Sequence, residues 1–285
     1  MPPAGALLSR LMNPLTKRIL RSPVMWPAAT RVILAKATAR HEVTVHREGL
    51  RITCGTGDGQ GSFCAIAGSS YEPELIWLLG QLQARDTFVD VGANIGIYSL
   101  HAARHLVGSG TVFSVEPNPE ALRILSRNIE ANNFSGTITP IHAAASRTTG
   151  QLYLTGTPTK WNSLQLHERP PGIPVKVTTV DEVLHDAEKR AHLHFLKIDA
   201  EGVETDVLAG ASDSIQQSWP AIIFENSINR SAESPTAWLL ARGYRIYAAD
   251  NLGRLTEAAS TNYAHHTNLV AIHPRSRVAI NFAHQ

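Results

Sequence analysis

Short apolar runs rich in β-branched residues alternate along this chain with amphipathic runs of helical period. Residues 88–91, Phe-Val-Asp-Val, read as a buried strand. Ile97, Leu100, Ala103 and Leu106 then fall near helical spacing, with Gly92-Ala93-Asn94-Ile95-Gly96 between the two runs. The alternation recurs. Residues 111–115 read as a second strand, closed by Glu116 and Pro117; Leu122, Leu125 and Ile129 mark a helix over 119–132; residues 138–142 read as a third strand. Further strands fall at 175–180, 194–198 and 221–224, and Val203, Val207 and Leu208 mark a helix closed by Gly210. Leu239 and Leu240 belong to a late helix, and residues 244–247 and 268–273 are the last strands, with Asn251-Leu252-Gly253 as an intervening turn. Strands that alternate with helices predict an α/β fold, an open and mostly parallel sheet covered by helices on both faces.

The first 70 residues follow a different pattern and read as an extension to a domain spanning 71–285. Leu7, Leu11, Leu15 and Ile19 recur every four residues, with Leu8 and Leu20 alongside, as one apolar helix face. Pro14 can kink that run, and Pro23 and Pro27 are expected to end it. Val43 and Val45, then Leu50, Ile52 and Cys54, alternate around Glu48-Gly49, which predicts a β-hairpin. The glycine-rich stretch 55–61 lacks the lysine of a phosphate loop and reads as a turn or mobile connection. Tyr71-Glu72-Pro73-Glu74 opens a helix carried by Leu75, Leu78, Leu79 and Leu82. Residues 152–169 are irregular and polar. Asp181 reads as the N-cap of the helix that follows it.

Charge sharpens this division. Seven cations, from Arg10 to Arg40, precede the first acid, Glu42, and the other 19 face 24 acids. A mildly acidic body argues against nucleic acid as its substrate. The basic N-terminus suits an acidic surface, and two readings stay open: an interfacial helix on anionic lipid, or a helical lid or dimer arm. No run has transmembrane length and none reads as a signal-peptide core. The two cysteines, Cys54 and Cys64, set no disulfide framework, so a reducing cytosol is the expected compartment.

The chemistry centres on the glycine turn. The pattern D-x-G-x-x-x-G lacks the middle glycine of the dinucleotide fingerprint, and Asp90 stands at the strand end. A carboxylate there disfavours phosphates and suits a cationic ligand such as S-adenosylmethionine. Glu116 ends the second strand, where an acid can accept both ribose hydroxyls. An ordinary strand–helix turn would show the glycine without that acid.

With these residues in place, DVGANIGIYSL, VEPNPEAL, LKIDAEGVETDVLAGA and AIIFEN resemble the FkbM-type class I methyltransferases over about residues 71–226. The resemblance implies a Rossmann-like, seven-stranded, mostly parallel sheet closed by one antiparallel strand. It implies S-adenosyl-L-methionine as cofactor, held by Asp90, Gly92, Asn94, Gly96 and Glu116, with the backbone of Ala144 at the adenine edge. In this class the helix before the first strand lies over the methionine half of the cofactor, so Glu72 can face it; otherwise Glu72 and Glu74 are helix-dipole residues. The implied reaction is methylation of a hydroxyl on a sugar, glycolipid or natural product.

Lys197, Asp199 and Glu201 end the fourth strand, and Glu225 and Asn226 the fifth. In extended backbone Asp199 and Glu201 point the same way. Such acids can serve as general base for a hydroxyl, hold a divalent cation such as magnesium with Glu225, or form a salt-bridged strand end with Lys197. His142 and His167 are the histidines that can approach them. Trp161, Asn162 and Ser163 stand in the polar loop as acceptor-binding candidates, Trp161 either stacking on a sugar or anchoring the loop. Trp238 and residues 263–266 can shape the substrate mouth. Neither cysteine is expected at the reactive edge, and no N/D-P-P-Y/F tetrad follows the fourth strand. The reading is therefore an O-methyltransferase acting on a saccharide-type acceptor, with oligomeric state open. The rivals are a nicotinamide-dependent sugar oxidoreductase, which the missing glycine and the absent Y-x-x-x-K oppose, and a non-catalytic scaffold.

Overall fold

The computed structural model describes residues 26–37, 41–56, 59–106, 108–155, 165–186, 192–226, 233–258 and 268–278. The apolar face from Leu7 to Ile19 lies outside them. The first element is helix α1 (Trp26–Ala37). Pro27, expected to end a helix, stands instead at the second residue of one, where the missing N–H has no partner to lose. Ala28, Ala29 and Val32 of α1 enter the core, while Ile33 and Leu34 face outward. The hairpin follows as expected, β1 (Glu42–Arg47) and β2 (Leu50–Gly55). Its two turn residues, Glu48 and Gly49, have φ of 52° and 78°, the left-handed pair of a tight hairpin turn.

The glycine-rich stretch is a correction. Helix α2 (Gly59–Ala67) starts inside it, because Phe63, Ala65 and Ile66 bring the whole segment into the core. Ser62 Oγ donates to Gly55 O at 2.8 Å and closes the entry. Helix α3 (Pro73–Gln81) begins at the predicted proline, with Glu72 in extended conformation before it.

The sheet begins with β3 (Thr87–Val91), α4 (Ile97–His105), β4 (Thr111–Glu116), α5 (Pro119–Ala131) and β5 (Ile138–His142). Residues 144–178 then fold apart, as β6 (Ala144–Ala145), β7 (Gly150–Thr155), β8 (Gln165–His167) and β9 (Ile173–Thr178). They form a second sheet in the order β6-β9-β7-β8, with a small core of Ala144, Leu154, Val175 and Val177. The irregular segment expected here therefore contains two strands. Strand β7 buries only Leu154 and β8 is three residues long, so neither gives a long apolar run. Helix α6 (Val180–Asp186) is entered through Thr179, whose Oγ1 accepts Glu182 N–H at 3.0 Å. Asp181 caps a different helix from the one expected: its carboxylate accepts the N–H groups of Asp213 and Ser214.

The chain returns through β10 (Phe195–Ile198), α7 (Glu204–Ala209), α8 (Ser212–Ser218), β11 (Ala221–Glu225), α9 (Pro235–Leu240), β12 (Arg245–Ala249), β13 (Leu255–Glu257) and β14 (Asn268–Ile272). Strand order is β13-β12-β14-β11-β10-β3-β4-β5. Strands β11, β10, β3, β4 and β5 pair in parallel, and β14 runs antiparallel between β11 and β12. This is the class I methyltransferase sheet with an eighth strand on its edge. Asp250 makes that addition: its carboxylate accepts Leu252 N–H and Arg254 N–H, both at 2.9 Å, and folds the expected turn into a hairpin between β12 and β13. No helix among the described residues is long and apolar enough to cross a membrane.

Two apolar layers sandwich the sheet. Phe88 and Phe195 point to the α2–α5 side, and Val89, Val91, Leu196 and Ile198 to the α6–α9 side. One core cluster runs from the hairpin (Val45, Ile52) through Leu78 to Leu125. Buried Asn128 on α5 joins these parts. Its Oδ1 accepts Thr53 N–H at 2.7 Å, and its Nδ2 donates to Thr53 O and Ile95 O, each at 3.0 Å. Asn128→Ala strands three buried backbone groups and is expected to lower stability by roughly 2–4 kcal/mol, read by urea unfolding.

Candidate functional site

Chain direction reverses between β3 and β10. From β3 the chain builds outward through β4 and β5, then returns to lay β10 on the other flank, and ligands bind at the carboxyl ends of strands at such a switch. The pairing register sets Lys197 against Asp90. Both belong to the face that carries Phe88 and Phe195, so their side chains meet beneath the strand ends. Lys197 Nζ lies 3.5 Å from Asp90 Oδ1, 3.4 Å from Asp199 Oδ2 and 3.4 Å from Gly92 O, and 5.0 Å from the centre of the Tyr98 ring. Asp90 is fully buried, and its other oxygen accepts Ser99 Oγ at 2.6 Å.

Above this pair the glycine turn passes close to the end of β10. Gly92 has φ of 72°, and a Cβ there would lie 1.8 Å from Asp199 O. Gly96, at φ 92°, makes room for Leu125 of α5 and not for the strand beneath it. Gly92 N–H and Ala93 N–H donate to Val115 O. Glu116 braces the turn from below, since its two oxygens accept Asn94 N–H and Asn118 N–H at 2.8 Å each. Each oxygen keeps a further lone pair. Burial pushes the Glu116 carboxyl up to about 7, against the pull of those two N–H groups.

A cleft opens at this point. Its lining brings together the glycine turn, Glu72, Tyr98, Lys197 and Asp199 from three stretches of sequence. Tyr98 OH donates to Glu72 Oε2 at 2.6 Å. Burial raises the Glu72 carboxyl above its ordinary value, opposed by Lys197 and by the Tyr98 bond. Burial likewise raises Asp90, opposed by Lys197. For Lys197 burial disfavours the ammonium, yet Asp199, Asp90 and Glu72 outweigh it and hold the group charged, above the usual lysine value.

Several expected placements change. Strand β10 stops at Ile198, and Glu201 and Gly202 take φ of 55° and 96°. Extended periodicity is therefore lost, and Glu201 is exposed while Asp199 lines the cleft. Among the described residues no three His, Cys, Asp or Glu side chains gather as a metal cage. Asp199, Glu201 and Glu225 do not converge as the cation site expected of them, and His142 and His167 do not join them. His142 instead pairs with Pro117 O. Ala144 sits in the core of the second sheet and does not line the cleft. Cys64, expected away from the reactive edge, lines the cleft; Cys54 and Cys64 are both buried and unbridged. Trp161, Asn162 and Ser163, and residues 263–266, lie outside the described residues.

Tyr98 and Glu204 escaped sequence reasoning. Glu204 is wholly buried, and its Oε1 accepts Ala200 N–H at 3.2 Å and Gly202 N–H at 2.9 Å, closing the turn that carries Asp199. Burial raises its carboxyl, opposed by these N–H groups. An acid in the first helical turn two residues after a glycine was the available signal.

The chain is 27% identical over 139 residues to the hexuronic acid methyltransferase AglP of Haloferax volcanii, a match covering 49% of this chain and 55% of that protein. It is 29% identical over 150 residues to methyltransferase 1 of Beauveria bassiana, covering 45% and 59%. The match thus spans less than two thirds of either curated relative. The crystal structure of a methyltransferase FkbM from Methylobacillus flagellatus superposes with a TM-score of 0.47 at 18% identity, over 90% of this chain and 60% of that one. The Methyltransferase FkbM domain matches residues 90–246, more than half of the sequence. With this glycine turn, this strand order and that match, the chain belongs to the FkbM methyltransferase family.

Proposed function

We propose that this protein is an S-adenosylmethionine-dependent methyltransferase that methylates a hydroxyl of a saccharide or glycosylated acceptor. The observation that carries the reading is the acid-rich cleft at the sheet's switch point, where Glu72, Asp90 and Asp199 surround a single ammonium. That donor set fits a ligand with cationic groups. The glycine turn fits a ligand that needs close backbone approach, since the backbone from Gly92 to Asn94 lines the cleft without a side chain at Gly92. The saccharide class is supported by the family and by the name of the archaeal relative.

In this reading Gly92, Asn94 and Gly96 present backbone to the cofactor, and Glu116 accepts the ribose hydroxyls on its free lone pairs. Asp90 acts from below, by fixing Lys197. Glu72 faces the methionine half of the cofactor. The bound cofactor supplies an already activated methyl group, so the protein itself has to orient the acceptor and remove its proton. Asp199 is placed to take that proton, because its side chain is 37% exposed and lies beside Lys197 at the mouth of the cleft. The exposed Glu201, Glu225 at the end of β11, and Trp161, Asn162 and Ser163 between β7 and β8 form the acceptor side of the proposal. Helix residues before Glu42 leave room for contact with an anionic membrane, and the protein is assigned to the cell interior.

Calorimetric titration is expected to show micromolar binding of S-adenosylmethionine and none of NAD; the reverse result would overturn the reading. Transfer of radiolabelled methyl to uronic-acid oligosaccharides is the acceptor assay. Asp199→Asn is expected to lower kcat about 10²-fold or more at saturating cofactor. Gly92→Ala is expected to abolish cofactor binding and to cost roughly 2–4 kcal/mol of stability, because the new Cβ displaces the end of β10 and φ becomes strained. Circular dichroism melts and the same titration check both effects.

A further inference from the structure

Resting on S-adenosylmethionine as the ligand, we propose that the Glu72–Lys197–Asp199 cluster reads the sulfonium charge, so that the pocket favours S-adenosylmethionine over S-adenosylhomocysteine, whose sulfur carries no charge. Charge and placement carry the argument. Glu72 and Asp199 line the cleft and Asp90 lies directly beneath it, while Lys197 is the only cationic side chain among the described residues lining it. Lys197 is 3.5 Å from Asp90 and 3.4 Å from Asp199, and one ammonium cannot balance three carboxylates. A further cation in this cleft therefore meets uncompensated negative charge, in surroundings that screen it less than water does.

The two cofactor forms share adenosine, ribose and amino-acid groups. They differ by one methyl and one positive charge at sulfur. Methyl transfer removes that charge and with it the attraction, which favours exchange of product for fresh cofactor.

Glu72 adds a pH signature. It faces Lys197 and Asp199 from β10 and its end, Tyr98 from α4, Asn268 from β14 and Glu74 on its own helix. Burial raises its carboxyl in the empty cleft. A cation that prefers the carboxylate must expel that proton, so affinity for a charged ligand rises with pH through the Glu72 titration. Glu116 titrates near 7 but faces the ribose common to both forms, so its effect cancels from the ratio of affinities.

The test is calorimetric titration of the full chain with S-adenosylmethionine, S-adenosylhomocysteine and sinefungin, whose amine stands where the sulfonium would be. At neutral pH the methionine form is expected to bind about tenfold tighter than the homocysteine form, a difference of about 1.4 kcal/mol, and sinefungin is expected to follow it. The ratio is expected to shrink as pH falls and the Glu72 carboxylate takes up its proton. Glu72→Gln is expected to bring the ratio within about threefold, with the larger loss of affinity on S-adenosylmethionine. Should that variant fail to fold, Asp199→Asn gives the same readout from the exposed side of the cluster. Equal wild-type affinity for both forms, or a ratio unmoved by the substitution that folds, would overturn charge reading and leave the cofactor assignment standing. No binding of any of the three would overturn the cofactor assignment itself.

Discussion

The Lys197 ammonium, held under the ends of two neighbouring strands, is the interaction on which the site depends. Burying an ammonium costs several kcal/mol unless opposite charge surrounds it. Here Asp90 and Asp199 lie within 3.5 Å of it. Asp90 is in turn bound by Ser99, which shares its hydroxyl with Ser114 at 2.6 Å. Removing any one charge would leave another uncompensated, so the cluster holds β3 and β10 to one register at the point where the cleft opens. The same buried charges make the cleft polar on one side only, and that asymmetry is what a cationic cofactor can use.

Around this pair the backbone is brought into unusually close approach. Gly92 gives up its side chain so that the glycine turn can touch Asp199 O, and Glu116 fixes the turn by accepting Asn94 N–H and Asn118 N–H. Asn128 then grips Ile95 O at the far end of the turn and Thr53 on the hairpin with one amide. The extension is thereby tied to the loop that lines the cleft. The hairpin turn reaches the site by a second route, since Glu48 accepts Ser69 N–H just before the chain enters Tyr71 and Glu72.

Much of the main sheet was legible because its signals are local. A buried parallel strand must be apolar along its length, and a helix on such a sheet must repeat its apolar residues, so β3, α4, β4, α5, β10 and β11 can be read from neighbouring residues. Where the signal was not local, the reading failed. Strand β7 buries only Leu154 and β8 is three residues long, so neither gives a long apolar run, although they complete a sheet with β9 and β6. Glycine-rich 55–61 looked like a loop, because the apolar contacts that draw α2 inward come from distant segments. Pro27 has two opposite meanings, depending on whether it ends one helix or begins the next.

The site divides in the same way. The identities of Asp90, Gly92, Glu116, Lys197 and Asp199 follow from strand ends and glycine spacing, because chemistry at the carboxyl edge of a parallel sheet draws on residues at those positions. Their partners do not follow. That Tyr98 meets Glu72, that Asp90 faces Lys197, and that Glu201 turns away from Asp199 depend on strand order, pairing register and two left-handed residues. Composition and periodicity act through neighbours in sequence, and were enough for the fold and the location of the cleft. The charge balance within the cleft comes from residues more than a hundred positions apart, and only packing brings them within reach of one another.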